Sequence, residues 1–168
     1  MERGWGLDFQ FRHTDKDGNV LHDSGWLPNH MTDDGFQLMY DVFFRDATGP
    51  TKFMIGLNTA NLSQTSSQGD LSQVTGTGYA LKDVLRSSAA GGFPTLALDG
   101  GDMQITSTTV QFENTHGSEA WTGAVDAFLL GDLATNVLIA YRPLSTTRTL
   151  QPGDKLDVTI KIKGEQPA

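Results

Sequence analysis

The chain opens on an alternation. In "WGLDFQFRH", Trp5, Leu7, Phe9 and Phe11 fall on one face and Asp8, Gln10 and Arg12 on the other, the period of two that marks a half-buried strand. Near the other end "KLDVTIKIK" does the same, with Leu156, Val158, Ile160 and Ile162 inward and Asp157, Thr159, Lys161 and Lys163 outward. Between them lie "KFMIGLN" at 52–58, "MQITSTTVQF" at 103–112, "GAVDAFLL" at 123–130 and "NVLIAYRPL" at 136–144. Turn signals separate these runs, among them "DGGD" at 99–102 and "QPGDK" at 151–155. Many short strands punctuated by Gly and Pro predict a mainly β chain folded as a single antiparallel β-sandwich, jelly-roll-like, with an N-terminal hairpin.

One segment departs from the period of two. In "MTDDGFQLMYDVFFRDA", Phe36, Met39, Tyr40, Phe43 and Phe44 recur at helical spacing, with Thr32 or Asp33 available to cap the first turn. This predicts one amphipathic helix over 33–46, with its aromatic face on a sheet as core. Residues 59–78, "TANLSQTSSQGDLSQVTGTG", are polar, small and almost uncharged, a connection longer than most within a compact domain. Leu62, Leu71 and Val74 are its large apolar residues; they either pin the loop to its own domain or dock a neighbouring subunit. The stretch "YALKDVLRSSAAGG" fits a strand or a short helix equally. The expected layout is one domain over 1–168: a hairpin segment at 1–30, the helix at 33–46, and the sandwich over 52–163.

Composition narrows the classes. There is no cysteine, hence no disulfide framework, thiolate metal site or cysteine nucleophile. A net charge of -8 repels nucleic-acid phosphate and anionic membrane, so neither is an expected partner. No apolar run approaches the roughly 20 residues needed to cross a bilayer. The charged, alternating N-terminus is wrong for the apolar core of a signal peptide, which predicts a protein made in, and retained by, the cytoplasm until assembly or lysis releases it.

The densest cluster of ligand-type residues is "HTDKDGNVLH", residues 13–22. A calcium loop of the EF-hand type wants glycine at its sixth position and a glutamate at its twelfth. Starting from Asp15, glycine falls fourth, as Gly18, and the twelfth residue is Trp26. A hairpin fits better. With Asp17-Gly18 as a two-residue type I′ turn, Arg12 faces Asp23, Phe9 faces Trp26, and His13 faces His22. Two imidazoles on adjacent strands are weak candidates for zinc or nickel, because a stable site wants three or four ligands. No G-x-S-x-G elbow, H-E-x-x-H pair or phosphate-cradling glycine loop is present, and the carboxylates are scattered. No enzyme activity and no cofactor are expected. Trp5 and Trp26 fall on core faces in this register, which leaves Trp121 as the free aromatic for a glycan or a protein neighbour.

The order of "PNHMTDDGFQLMYDVFF", "KFMIGLN", "GTGYAL", "TTVQFENT", "WTGAVDAFLL", "VLIAYRPLS" and "LQPGDKLDVTIKI" resembles a recurrent family of tailed-phage structural proteins. The similarity covers most of residues 20–163. The family pattern runs from a short hairpin through a P-N-x-x-T segment and a helix into a β-sandwich with a G-Y pair, a W-x-G strand and a late G-D turn. Its members are described as tail-fibre-like or as head decoration proteins. The resemblance implies a virion component without enzyme activity: a capsid decoration (cement) protein on the outer capsid surface, bound to the major capsid protein as a homotrimer or other small ring. The alternative is a tail-associated or free carbohydrate- or receptor-binding module. The two differ in what the 59–78 loop and Trp121 should touch.

Overall fold

The computed structural model describes residues 5–99, 102–133 and 136–164. In chain order the elements are β1 (Trp5–Thr14), β2 (Val20–Pro28), β3 (His30–Met31), α1 (Asp33–Phe44), β4 (Lys52–Asn58), β5 (Lys82–Leu85), β6 (Thr95–Asp99), β7 (Asp102–Thr106), β8 (Val110–Glu113), β9 (Trp121–Gly131), β10 (Val137–Leu150) and β11 (Lys155–Gly164). With 52% strand against 10% helix, the chain is mainly β, and its two antiparallel sheets face each other as a sandwich. One sheet runs β2-β1-β11-β7-β6, with β8 also paired to β11; the other runs β3-β10-β9-β4-β5. The two alternating segments read at the chain ends lie side by side, Phe9 opposite Ile160 and Phe11 opposite Val158. Phe9, Phe11, Phe112, Leu156 and Ile160 are fully or almost fully buried between the sheets. Each such side chain contributes about 1.5–3 kcal/mol of transfer free energy.

The run expected as one strand over 103–112 is two, because Ser107 interrupts it. Its backbone N–H donates to the Ile160 carbonyl at 2.8 Å, and its hydroxyl accepts from the Ile160 N–H at 2.9 Å. A side chain thus fills the gap between β7 and β8 along β11. The ambiguous "YALKDVLRSSAAGG" contains β5, paired to β4.

The N-terminal hairpin keeps Arg12 opposite Asp23 and His13 opposite His22, but not Phe9 opposite Trp26. A bulge at Ser24, whose hydroxyl accepts from the Phe11 N–H at 2.9 Å, shifts the register so that Phe9 meets Leu27 and Gln10 meets Trp26. Trp26 therefore lies on the outer face, 39% exposed, with the Lys161 ammonium 4.0 Å from its ring centre. The side chain of Trp5 falls outside the described residues. The turn itself is a three-residue loop. Asp15 carbonyl accepts from Gly18 N–H, Asp15 N–H donates to Asn19, and among residues 15–19 only Gly18 has a positive φ, whereas a type I′ turn needs two.

Strand β9 is buried on both faces, which requires cover on each side of its sheet. One side is the sandwich core. On the other, Phe128, Leu130, Leu138 and Tyr141 form a second apolar cluster with Leu62, and Met54, Leu71 and Leu81 pack against it. The long polar loop after β4 is thus a third layer over the outside of the sheet.

Helix α1 closes the edge of that sheet beyond the short β3. Its cap Thr32 is fully buried: the hydroxyl accepts from Gly35 N–H at 3.0 Å and donates to the Leu138 carbonyl. Gly35 lies against the backbone of β10, where an added Cβ would stand 2.1 Å from the Ile139 carbonyl oxygen. Leu38, one turn on, reaches the main core. The inward stripe is Gly35–Leu38–Val42, not the aromatic one. Tyr40, Phe43 and Phe44, expected as core, are 54%, 66% and 78% exposed. The helix carries two apolar stripes, and the smaller side chains permit the closer approach to the sheet.

Candidate interaction surfaces

The residues singled out for an interface lie mostly inside the domain. Leu62, Val74 and Trp121 are buried and Leu71 is half-buried against the second cluster, so the loop's apolar residues pin it to its own sheet. Trp121 donates from Nε1 to the Thr77 carbonyl at 3.2 Å and meets Tyr79 edge to face, with ring centres 5.5 Å apart. Gly76 presses on the same indole. "GTGY" and the start of β9 are therefore one packed unit, and Trp121 offers no face to a glycan. Tyr79 also completes a strand: its hydroxyl accepts from Leu57 N–H at 2.7 Å and donates back to the Leu57 carbonyl at 3.2 Å. It stands where β5 no longer borders β4, and burial pushes the phenol up to about 12.

His13 and His22 face each other, but their surroundings differ. His13 is buried with Nε2 3.3 Å from Asp154 Oδ2, and Asp154 also accepts from the Gln151 N–H at 2.9 Å. This contact ties the hairpin to the turn before β11. Burial first, then the Arg148 guanidinium, pushes the His22 imidazole below its ordinary value. Among the described residues no three His, Asp or Glu side chains come together as a metal site. At the hairpin tip the Asp15 carboxylate accepts from Asp17 N–H, Asn19 N–H and Asn19 Nδ2 at 2.8–2.9 Å, which engages it locally and holds its pKa below the ordinary value.

Among the described residues, two apolar surfaces stand out as exposed. One is the aromatic stripe of α1, where Tyr40 and Phe44 rings lie 6.3 Å apart. The other is an overhang of the β6–β7 sheet. Leu7, Ile162, Ile105 and Leu96 form one row across β1, β11, β7 and β6 on the inward face. Leu7 is buried, Ile162 and Ile105 are half-buried, and Leu96 is 66% exposed. In the next row Met103 and Leu98 are 45% and 68% exposed. The inward face of one sheet runs on past the end of the other. The alternation in "TLALD" was a readable signal for β6, followed directly by the "DGGD" turn.

Polar concavities are less developed. A groove of about 470 Å³ between α1, residues 67–69 and the β9–β10 connection is lined by Asp34, Gln37, Asp41, Ser67, Gln68 and Asn136, among others. Beneath the loop layer sits a buried carboxylate. Asp126 Oδ2 accepts from the Leu62 N–H at 2.6 Å, while Oδ1 has no partner among the described residues, and burial raises its pKa. Neither feature pairs a nucleophile with a base. The chain matches no model of a known protein family, and no curated protein matches it.

Proposed function

We propose that the chain is a non-enzymatic structural protein of a tailed-phage virion, a decoration protein that sits on the outer capsid and bridges major capsid protein subunits. The observation that carries this reading is the aromatic stripe of α1. Tyr40, Phe43 and Phe44 stand outward on a helix whose root, Thr32 to Gly35, is held by buried backbone contacts to β10. Exposed aromatics on a rigid support suit a protein contact, since large side chains anchor interfaces at little further entropy cost. The acidic balance of the chain, -8, favours an exterior position over contact with packaged DNA. Subunits that bind the assembled lattice and not its dispersed parts stabilise the shell by mass action.

The test is stoichiometry in purified particles, joined to a variant. Band density comparable to the major capsid protein supports decoration; a handful of copies, as at a tail or vertex, overturns it. Phe44→Ser, at the most exposed of the three aromatics, should leave the fold intact and reduce occupancy on capsids. Undiminished occupancy would remove α1 as the docking element.

A further inference from the structure

We infer that β6 is a twofold self-association edge, across which a second copy of this chain extends the β6–β7 sheet. The inference concerns this chain alone and holds wherever the protein works. It differs from the homotrimer or other small ring expected from the sequence.

Three observations point there. First, β6 is the last strand of its sheet, and its outer side has no strand beside it among the described residues. The opposite edge, β2, is bulged, carries Asp23 and ends on Pro28, features that discourage pairing. Strand β6 has no bulge in its register with β7, and Thr95 to Leu98 are uncharged. Second, the face that would be extended is already apolar: Leu96, Leu98 and Met103 lie exposed on the inward side. Third, the pattern is self-complementary. If two β6 strands run antiparallel with Ala97 opposite Ala97 of the second copy, each Leu96 falls opposite a Leu98 on the same face. The four leucines and two methionines then form one belt. Two copies of net charge -8 repel overall, and an uncharged contact strip lessens that repulsion. In this register each Asp99 position pairs with a Thr95, four residues along the strand from the second copy's Asp99. A partner of other sequence would need to supply this alternation, whereas a second copy has it.

The chain has no cysteine, so an introduced one reports alone. Across an antiparallel pair the two Ala97 Cα atoms stand about 4.5–5.5 Å apart, within disulfide range. Two Thr95 residues would be roughly 13 Å apart, beyond it. Sedimentation of the wild-type chain should show a reversible, concentration-dependent dimer. Leu98→Lys, at a site already exposed, should keep the fold and weaken the dimer on the order of 100-fold, because two leucines leave the belt at once. Ala97→Cys should oxidise to a covalent dimer far faster than Thr95→Cys. A wild-type chain that stays monomeric at every accessible concentration overturns the inference. So does a dimer indifferent to Leu98→Lys, or one in which the two cysteine variants crosslink at equal rates.

Discussion

Replacing Gly35 by alanine sets two effects of opposite sign against each other. In an isolated helix the change is favourable by about 0.8–1 kcal/mol, because glycine is the poorer helix former. In this protein the new methyl would stand 2.1 Å from the Ile139 carbonyl oxygen and 2.8 and 2.9 Å from its C and Cα. All three are backbone atoms of β10, so no side chain can rotate away. To reach ordinary contact, beginning at 3.4 Å, the helix must lift by roughly 1 Å. That movement stretches the Thr32 cap on Gly35 N–H and the Thr32 N–H bond to the Ile139 carbonyl at 3.0 Å, and withdraws Leu38 from the core. A lost cap costs about 1 kcal/mol and overpacking typically about 1–3. The net expectation for Gly35→Ala is a destabilisation of about 1–3 kcal/mol. Urea unfolding measures it as a lower midpoint at unchanged slope. The exposed Gln37→Ala, on the same helix, serves as control and should lie within about 0.5 kcal/mol of wild type. If Gly35→Ala is as stable as wild type or more so, the close approach of α1 to β10 is not a constraint and the docking account fails.

Three further outcomes follow from the same contacts. Phe43→Asp should cost less than about 1 kcal/mol in thermal or urea unfolding, since the ring is 66% exposed and the main penalty is an acid near a helix C-terminus; a loss of several kcal/mol would return that ring to the core. Tyr79→Phe should destabilise by about 1–3 kcal/mol by leaving the Leu57 N–H unpaired, while the Leu57 carbonyl keeps its bond from the Val74 N–H at 2.9 Å, read as a shift in urea midpoint; equal midpoints would show that water replaces the hydroxyl there. Asp126 is raised by burial, so the folded state holds its proton more tightly than the unfolded state does. Stability from this group is present at acid pH and declines as pH rises from the ordinary aspartate range through the folded pKa. Asp126→Asn should therefore be more stable than wild type at neutral pH, with the gap closing on acidification; a gap that is constant with pH would contradict the buried charge.

The strands with strict alternation were legible because one of their faces is core: β1 and β11 lie where the period of two put them, and β4 is the 52–58 run. The helix was legible as a helix, but its direction was not. Periodicity gives an angle between residues, and two apolar stripes satisfied it; Gly35, which reads as a flaw in propensity, marked the face that touches the sheet. Trp26 was misplaced for a different reason. A bulge shifts register without altering composition, and every pairing beyond it changes partner. The interface residues failed through a third cause. Leu62 and Leu71 looked isolated because their partners, Phe128, Leu130 and Leu138 among them, belong to the opposite face of strands already counted as core, whereas Val74 enters the main core itself. That β9 is apolar on both faces, in "AVDAFLL", was the available sign that something covers each side.

The loop layer between Asn58 and Lys82 bears on how this surface can change over generations. Relative to a tight turn, closing so long a connection costs only about 1.5 kcal/mol of chain entropy, because the cost grows with the logarithm of length. Its underside is constrained by Leu62, Leu71, Leu81 and the Asp126 contact to the Leu62 backbone. Its crest, Ser63 to Asp70, is polar and largely exposed, bonded within itself through Ser63–Ser66 and Ser67–Asp70 contacts and tied to the start of α1 through Gln64, which donates from Nε2 to Asp33 Oδ1 and accepts from the Asp33 N–H, each at 2.9 Å. Outside Gln64, drift in the crest is thereby largely uncoupled from the sandwich, and lengthening there adds little further entropy cost. Substitutions and insertions can accumulate on this shelf, and foreign peptides can be grafted into it, while the leucines beneath keep the layer in place.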